Sequence, residues 1–384
     1  MGVAGLGRAF MLMLPALAHH PGVKLVACCD KRPEARAHFT ASFGGRAHES
    51  FAALVEDPAV EAIYLATPHD CHAAQAIRAA EAGRHLLVEK PMALTLAEAA
   101  AMRDAAARAG IALVVGHSHA HDGPIRHARR LIASGAFGPL RMITGLTCTD
   151  FLERPRRPEE FDPAQGGGVV FSQGTHQIDI LRTLGGGRLA SVRAAIPPPD
   201  PARPMEGAYN AFFTFADGAS ATLTYAGHGR FDSDALVGWI DELGRRKDPA
   251  AYGTARAARL AAGDEAAAKR ARSFGPGATL PPAGPPDFHN QFGFWLASCA
   301  GADLLPDADG VAIHGATRRF EPTPRPAVPR GEVLDEWLAA IRDDVPPRHD
   351  AAWGLATLEA VLALRRSAAL GREIRLHHQM MSTG

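Results

Sequence analysis

The first 118 residues alternate short apolar runs with alanine-rich stretches of helical spacing, and this alternation is the feature that most constrains the fold. Apolar runs at 24–29, 62–66 and 85–88 alternate with stretches of helical spacing such as 71–82 and 96–109. Strands separated by helical stretches of about 10–15 residues form parallel βαβ units with right-handed crossovers. We therefore predict an α/β chain whose N-terminal domain, residues 1–118, is a doubly wound parallel sheet of the Rossmann type.

The pattern changes beyond Gly116. Alternating apolar residues at 211–215 and 220–225 flank the turn Ala216-Asp217-Gly218, which is typical of an antiparallel hairpin. We predict that residues 119–384 form a second α/β domain with an open, mostly antiparallel sheet. Within it, residues 245–290 are poor in apolar side chains and rich in Ala, Gly, Pro and Arg, which predicts an extended or mobile insertion.

Charge and cysteine content limit the classes of function. The 41 Lys and Arg residues balance 41 Asp and Glu residues, so no global positive field would attract nucleic acid or an anionic membrane. The five cysteines show no metal-ligand spacing, which favours reduced thiols in a cytoplasmic protein. We find neither a secretory leader pattern nor an apolar run long enough for a membrane span. The sequence therefore predicts a cytoplasmic enzyme with a small-molecule substrate, without nucleic-acid or membrane partners.

A glycine-rich segment joins the first apolar run to the first helical stretch, which is the context that a dinucleotide-binding loop requires. In it, Gly5 permits the tight turn, and Gly7 lets the backbone approach a pyrophosphate at the helix N-terminus. Phe10 stands where the fingerprint has its third glycine. Asp30 ends the second apolar run, where a carboxylate can accept from a ribose 2′-OH, which favours NAD. The alternative is that Asp30 caps the helix that begins near Pro33.

Basic residues beside Asp30 leave the choice of nicotinamide dinucleotide open. Lys31 and Arg32 follow it directly and could meet the 2′-phosphate of NADP. We therefore expect NAD as cofactor, with NADP as the alternative. The expected contacts in this part of the chain are Gly5, Gly7, Arg8, Ala9, Phe10, Asp30, Lys31 and Arg32.

Five separated motifs resemble, in the expected order, the glucose–fructose oxidoreductase, inositol dehydrogenase and MocA (GFO/IDH/MocA) family. They are the stretch 66–72, Glu89-Lys90-Pro91, Gly166-Gly167-Gly168, the pair His176 and Asp179, and the stretch 367–372. The resemblance implies an NAD(P)-dependent oxidoreductase that assembles as a homodimer or homotetramer. It also implies cofactor contacts at Thr67, Pro68, His72, Glu89 and Lys90.

Lys90 is the first catalytic candidate. The resemblance places it near the nicotinamide and the reacting hydroxyl, after a peptide bond to Pro91 that is often cis in this family. A lysine at a strand end beside Glu89 also suits proton transfer, because desolvation would lower its pKa. A surface ion pair between Lys90 and Glu89 is the alternative.

His176 and Asp179 are the other catalytic candidates. They lie three residues apart on a predicted helix and would project from one face. The resemblance implies that His176 is an acid/base or substrate-binding residue. Ser172 stands where the family usually has an acid, so a complete Lys–Asp–His triad is not expected here. We predict hydride transfer from a carbinol carbon, with Lys90 and His176 taking or relaying the hydroxyl proton.

Histidines and arginines give weaker indications of the substrate. His117, His119 and His121 recur with period two and would share one face of a strand. We expect substrate contact there; a zinc or iron site and plain structural histidines are the alternatives, and no metal is predicted. Arginines before the glycine run could bind a carboxylate, or form a solvated charged loop. The candidate substrate contacts are His117, His119, Arg154, Arg156, Arg157, Ser172 and His228.

These indications favour an anionic cyclic diol as substrate. Within the family, the stretches at 117–122, 154–160 and 166–177 are most similar to phthalate 4,5-cis-dihydrodiol dehydrogenases. The resemblance implies oxidation of a ring cis-diol to a keto form that tautomerises to a catechol. A sugar or inositol dehydrogenase is the alternative, and a non-catalytic dinucleotide-binding regulator is an alternative of another class.

Overall fold

The computed structural model describes residues 1–281 and 283–381. Its internal contacts divide the chain into two units, each assembled from three segments. The first unit comprises Met1–His117, Ala266–Pro285 and Ala327–Leu355. The second comprises Ser118–Glu265, Pro286–Pro326 and Ala356–Gly384. The first unit thus contains two segments from later in the chain, which the predicted boundary at residue 118 assigned to the second domain.

The first unit contains a six-stranded sheet in the order β3-β2-β1-β4-β5-β6, and every neighbouring pair is parallel. The order reverses between β1 and β4, the point at which doubly wound sheets bind their ligands. The predicted Rossmann-type sheet is therefore confirmed. Its elements are β1 Gly2–Ala4, α1 Arg8–His19, β2 Ala27–Cys29, α2 Pro33–Phe43, β3 Arg46–His48, α3 Phe51–Glu56, β4 Ala62–Leu65, α4 His69–Glu81, β5 His85–Val88, α5 Leu96–Ala109 and β6 Leu113–Val115.

Local sequence signals account for the helix ends in this unit. Pro33 occupies the first turn of α2, where a missing N–H costs nothing. Thr95 and Glu98 form a capping box at the start of α5, and Gly110 ends that helix in the left-handed conformation. Sequence reasoning missed β3 and α3, because β3 is a polar edge strand with no buried residue and α3 has only six residues.

The second unit contains a nine-stranded sheet in the order β14-β13-β12-β11-β7-β10-β9-β8-β15. Among its described pairs only β7 and β10 run parallel, which confirms the mostly antiparallel sheet. The remaining elements of the chain are α6 Gly123–Ala133, β7 Leu140–Cys148, α7 Thr175–Gly185, β8 Leu189–Ala195, β9 Ala208–Phe215, β10 Ser220–Ala226, α8 Thr254–Ala261, α9 Glu265–Arg270, β11 Phe294–Cys299, β12 Asp303–Pro306, β13 Gly310–His314, β14 Arg318–Pro322, α10 Gly331–Arg342, α11 Ala351–Leu370 and β15 Ile374–Arg375.

The predicted insertion at 245–290 is not extended throughout, since it includes α8 and α9. Ion pairs attach its first half to the second unit: Arg256 and Arg259 of α8 both contact the buried Glu153 carboxylate, at 3.0 and 2.7 Å. Glu265 likewise accepts from Arg203 at 2.6 Å. Mobility of this segment stays a prediction. None of the described helices combines the length and apolarity needed to cross a bilayer.

Candidate active site

The glycine-rich loop between β1 and α1 has two glycines with different structural requirements. Gly5 has φ +89°, and a Cβ there would lie 2.5 Å from the carbonyl oxygen of Ala66, so no other residue fits. Gly7 caps α1, and a Cβ there would meet nothing within 4 Å. Open space beside a helix N-terminus suits an anion, because the first N–H groups of the helix have no intrahelical acceptor. The loop therefore fits the pyrophosphate of a dinucleotide.

Asp30 ties the end of β2 to this loop. Its Oδ2 accepts from the Leu6 N–H at 2.7 Å, and its Oδ1 accepts from the Arg32 N–H at 2.8 Å and from Arg32 Nε at 3.0 Å. The N-cap residue of α2 is Arg32, so Asp30 is not a simple helix cap. Lys31 beside it is exposed. Asp30 Oδ2 also accepts from Arg32 Nη2 at 3.3 Å, so each carboxylate oxygen already has two donors, and a ribose hydroxyl would replace one of them.

Phe10 could contact the cofactor only through its backbone, because its side chain points into the protein, and that contact stays a prediction. Its side chain is fully buried, and its ring packs against Phe39 at 6.4 Å and Phe274 at 5.1 Å. The residue at the third glycine position thus belongs to the hydrophobic core of the first unit. Arg8 and Ala9, by contrast, are only partly buried at the start of α1.

Lys90 follows β5 directly, and its peptide bond to Pro91 is cis, as the resemblance implies. The neighbouring Glu89 accepts a hydrogen bond of 2.5 Å from the hydroxyl of Tyr64 on β4. Burial, and next the Glu89 charge, raise the pKa of Tyr64 well above its usual value, so Tyr64 stays a proton donor to that carboxylate. Glu89, the residue before Lys90, is therefore held by a buried tyrosine.

His72 has both ring nitrogens directed at backbone carbonyls, and its expected contact with the cofactor stays a prediction. It is fully buried in α4, with Nδ1 at 3.1 Å from the Pro91 carbonyl oxygen and Nε2 at 3.0 Å from that of Thr67. Burial lowers its pKa. The ring connects the loop that carries Thr67 and Pro68 to the loop that carries Lys90.

The three histidines of the HxHxH run do not lie on a strand, contrary to prediction. The His117 N–H bonds back to the Val115 carbonyl at 2.8 Å, so the chain turns at once, and Ser118–His121 form a single 3-10 turn. The histidines therefore do not share one strand face. All three are buried.

His119 and His176 meet in the second unit. Their rings lie 4.7 Å apart, edge to face, and Phe292 packs at 4.6 Å from His119 and 5.1 Å from His176. Nδ1 of His119 lies 3.4 Å from Oδ2 of Asp122, whose other oxygen accepts from Asn290 at 3.2 Å. A cavity of about 10 Å³ beside His119 and Asp122 has room for a single water. This arrangement places two imidazoles and a buried carboxylate close together beside that cavity.

His176 and Asp179 lie on α7, every residue of which from 175 to 184 is buried. A π-helical turn, Val170–Gly174, leads into α7, and such turns are frequent at functional sites. Ser172, in this turn, donates to the Gly168 carbonyl at 2.5 Å. Its hydroxyl therefore holds the glycine run in place.

Sequence reasoning missed a buried polar network under α7. Gln177 donates to Thr147 Oγ1 at 2.8 Å and accepts from the hydroxyl of Tyr209, which is also fully buried. The Tyr225 hydroxyl bonds Thr149 at 2.9 Å. These partners come from β7, β9 and β10, so no local pattern could have indicated them. The network fixes α7, with His176, on the sheet.

The arginine loop is tied into the protein rather than solvated. Arg154 contacts Asp150 at 3.0 Å and Glu242 at 2.8 Å. Arg156 is buried, stacks 3.6 Å over the Phe151 ring and donates to its carbonyl, and burial lowers its pKa to about 10. Arg157 is 43% exposed, with Nε 3.8 Å from Glu160. Of the three arginines, only Arg157 presents a large part of its side chain to solvent.

His228 is half-buried after β10, and its carbonyl accepts from Arg256 of α8 at 2.9 Å. The structure thus places His228 beside the insertion. His117 belongs to the first unit, where its ring lies 6.3 Å from that of His349.

Two family models match this chain in succession. Residues 1–117 match the GFO/IDH/MocA oxidoreductase family with an NAD-binding Rossmann fold, and residues 125–235 match the GFO/IDH/MocA C-terminal domain. A 1-carboxy-3-chloro-3,4-dihydroxycyclohexa-1,5-diene dehydrogenase of Comamonas testosteroni is 42% identical over 95% of this chain and 93% of its own. The chain belongs to the GFO/IDH/MocA family. It is therefore an NAD-binding oxidoreductase, as the sequence predicted.

Two further relatives extend this result. A dehydrogenase structure from Bordetella bronchiseptica superimposes with a TM-score of 0.92 at 39% identity, over 97% of this chain and 98% of that one. The scyllo-inositol 2-dehydrogenase of Bacillus subtilis is 31% identical, over 50% of this chain and 55% of its own. The dihydrodiol enzyme and the Bordetella protein thus match this chain along nearly its whole length, whereas the Bacillus subtilis enzyme matches about half of it.

Proposed function

We propose that this protein oxidises one hydroxyl of a carboxylated cyclic cis-diol, with NAD⁺ as the hydride acceptor. The observation that carries the proposal is the similarity, along almost the whole chain, to a dehydrogenase that acts on a carboxylated dihydroxycyclohexadiene. The carbinol C–H leaves as hydride to the nicotinamide, the hydroxyl proton passes to a base, and a C=O forms. The ring ketone then tautomerises to a catechol, as expected for a phthalate-type dihydrodiol.

The roles of the catalytic residues follow from this reaction. Lys90, on the loop held by His72, takes the hydroxyl proton. His176, against the ring of His119, relays a proton within the second unit, and Asp122 stabilises the imidazolium that forms on His119. Asp179 is a buried acid one turn further along α7.

The substrate carboxylate is proposed to bind at Arg157. Arg154 is held by Asp150 and Glu242, and Arg156 by the Phe151 carbonyl. Arg157 lies 3.8 Å from Glu160 and is the most exposed of the three, at 43% of its side chain. A guanidinium suits a carboxylate because it can donate two parallel hydrogen bonds. Arg157→Ala should raise KM for the carboxylated diol with little change in kcat, while the exposed Arg130→Ala should change neither.

NAD is the proposed cofactor in preference to NADP, because Arg32 is paired with Asp30 and a 2′-phosphate would meet that carboxylate. We also propose a homodimer or homotetramer formed through the open sheet face. Met142 and Phe212 are each 45% exposed on that face. We place the enzyme in the cytoplasm, in keeping with five cysteines that form no disulfide.

The test is NADH formation, followed at 340 nm, with a panel of substrates and the purified protein. The panel contains a carboxylated cis-dihydrodiol, its decarboxylated analogue, inositols and sugars. Turnover of the carboxylated diol in clear preference to the analogue supports the proposal. Preferred turnover of inositols or sugars would replace it with the polyol alternative, and no turnover of any substrate would favour the regulator.

A further inference from the structure

Residues 273–281, which we call the clamp, pack on the first unit, although the chain on both sides of Ala266–Pro285 belongs to the second. Phe274 anchors the clamp and is fully buried. Its ring lies edge to face with Phe10 at 5.1 Å, and it also contacts His38 at 4.8 Å and Phe43 at 6.0 Å. The anchor thus occupies an aromatic pocket formed by α1 and α2.

Three hydrogen bonds along the clamp reinforce this anchor. The Phe274 N–H donates to the Leu6 carbonyl at 3.1 Å, within the glycine-rich loop itself. His38 of α2 contacts the Ala278 carbonyl oxygen through Nε2 at 3.1 Å. His19 of α1 contacts that of Pro281 at 2.7 Å. The clamp is therefore tied to the cofactor loop and to both helices beside it.

The bond to Leu6 bears on cofactor binding through the geometry of one peptide unit. The Leu6 carbonyl accepts from Phe274 and from Arg32 Nη2, at 3.1 and 2.8 Å, so its direction is set by two donors. A trans peptide unit is planar, so the Leu6 C=O and the Gly7 N–H point in opposite directions. Fixing the carbonyl therefore fixes the Gly7 N–H, one of the donors at the N-terminus of α1.

The clamp also explains the departure at Phe10. The third position of the fingerprint usually has a small residue, which allows close packing of helix and strand. Here the Phe10 ring lies in the core, in contact with the rings of Phe39 and Phe274. The large side chain in the loop and the aromatic side chain in the clamp are thus two parts of one packing arrangement.

We propose that the clamp holds the dinucleotide-binding loop in its binding conformation, and that Phe274 is a positioning residue for the pyrophosphate of the cofactor. The inference concerns the dinucleotide alone and is independent of the proposed diol substrate.

The direct test is the Kd of NADH, measured by fluorescence titration of the Phe274→Ala variant. We expect Kd to rise about tenfold, because the Gly7 N–H would lose its fixed direction and with it roughly one hydrogen bond to the cofactor. In the cofactor-free protein, amide hydrogen exchange in the peptide 5–10 should accelerate. The KM for NAD⁺ should rise while kcat at saturating NAD⁺ changes little. Phe274→Leu should restore much of the affinity, and Leu280→Ala, at a 45% exposed clamp position, should leave it unchanged.

A second variant keeps the test decisive if Phe274→Ala unfolds the first unit. The double change His19→Ala, His38→Ala removes two clamp contacts from outside the clamp and leaves Phe274 in place. We expect faster exchange in 273–281 together with a raised NADH Kd. Faster exchange there with a Kd within about twofold of the parent protein would overturn the proposal.

Discussion

The glycine-rich loop of the first unit and the histidine cluster of the second are built by different physical means. Gly5 is required by a positive φ and by a backbone 2.5 Å from where its Cβ would be, so the backbone itself specifies the residue. His119 and His176 are instead brought together by side-chain packing on Phe292 and by a polar network beneath α7. Backbone geometry of this kind can be recognised in a sequence motif, whereas the packing that joins His119 to His176, two separate candidates in the sequence, cannot.

The largest expected effect is at Lys90, the proposed base of the first unit. Lys90→Ala should lower kcat about 10²–10⁴-fold, the usual contribution of general base catalysis, while NADH binding changes little. Steady-state kinetics and NADH titration together measure this. The exposed Lys24→Ala is the matched control. If Lys90→Ala retains the parent kcat, the catalytic assignment is wrong.

Substitutions at the two loop glycines should have different effects on stability and on cofactor binding. In Gly7→Ala the added methyl group meets no protein atom within 4 Å, so the Tm should stay unchanged. The methyl group would occupy the space proposed for the pyrophosphate, so NADH affinity should fall at least about tenfold. Gly5→Ala should instead lower stability by more than about 1–3 kcal/mol, from the positive φ and the clash with Ala66. Thermal unfolding and NADH titration of both variants test this. Equal loss of Tm in the two would contradict the distinction.

A substitution in the polar network of the second unit should lower stability and kcat without changing NADH binding. Tyr209→Phe removes the donor to the buried Gln177 oxygen and should cost about 1–3 kcal/mol of unfolding free energy. Because α7 carries His176, kcat should fall as well, with the NADH Kd unchanged. Tyr252→Phe, at a 65% exposed position, serves as control. A changed NADH Kd in Tyr209→Phe would show that the network acts on the first unit.

The smallest expected effect is on how the stability of the first unit depends on pH. Burial alone would raise the pKa of Asp57, but hydrogen bonds from the Ala59 N–H, His48 and Arg46 outweigh it and lower that pKa to about 2. A lowered pKa stabilises the fold above the unfolded value near 4, and this stability is lost as pH falls from about 4 towards 2.

We expect about 1 kcal/mol from this group, reduced by solvent around the 57% exposed Arg46. Denaturant unfolding at pH 7 and pH 3 should show a smaller difference for Asp57→Asn than for the parent protein. The same difference in both would mean that Asp57 titrates normally.

Local signals sufficed to predict most of the first unit. The bounds of β5 and α5 agree with prediction because apolar runs and a capping box mark them within a few residues. The strands β11–β14 escaped prediction, since β11 pairs with β7, about 150 residues earlier in the chain, and Pro306 ends β12. Pairing over such a distance leaves no periodic signal beyond the strand itself.

The same contrast holds at the site. Gly5, Gly7 and Lys90 were predicted from motifs that record backbone geometry. The HxHxH period was misread because a hydrogen bond from the His117 N–H to the Val115 carbonyl turns the chain. The side chains of His72 and Phe10 are buried, which sequence reasoning missed because a motif gives the position of a residue but not the direction of its side chain.

The most direct test of the central claim uses a carboxylated cis-dihydrodiol with deuterium at the carbinol carbons. The purified protein is incubated with this diol and NAD⁺, and the reduced nicotinamide is analysed by mass spectrometry. We predict one deuterium in the NADH, a slower rate than with the unlabelled diol, and a catechol as product. NADH without deuterium, or catechol formed without NAD⁺ reduction, would contradict hydride transfer from the ring diol.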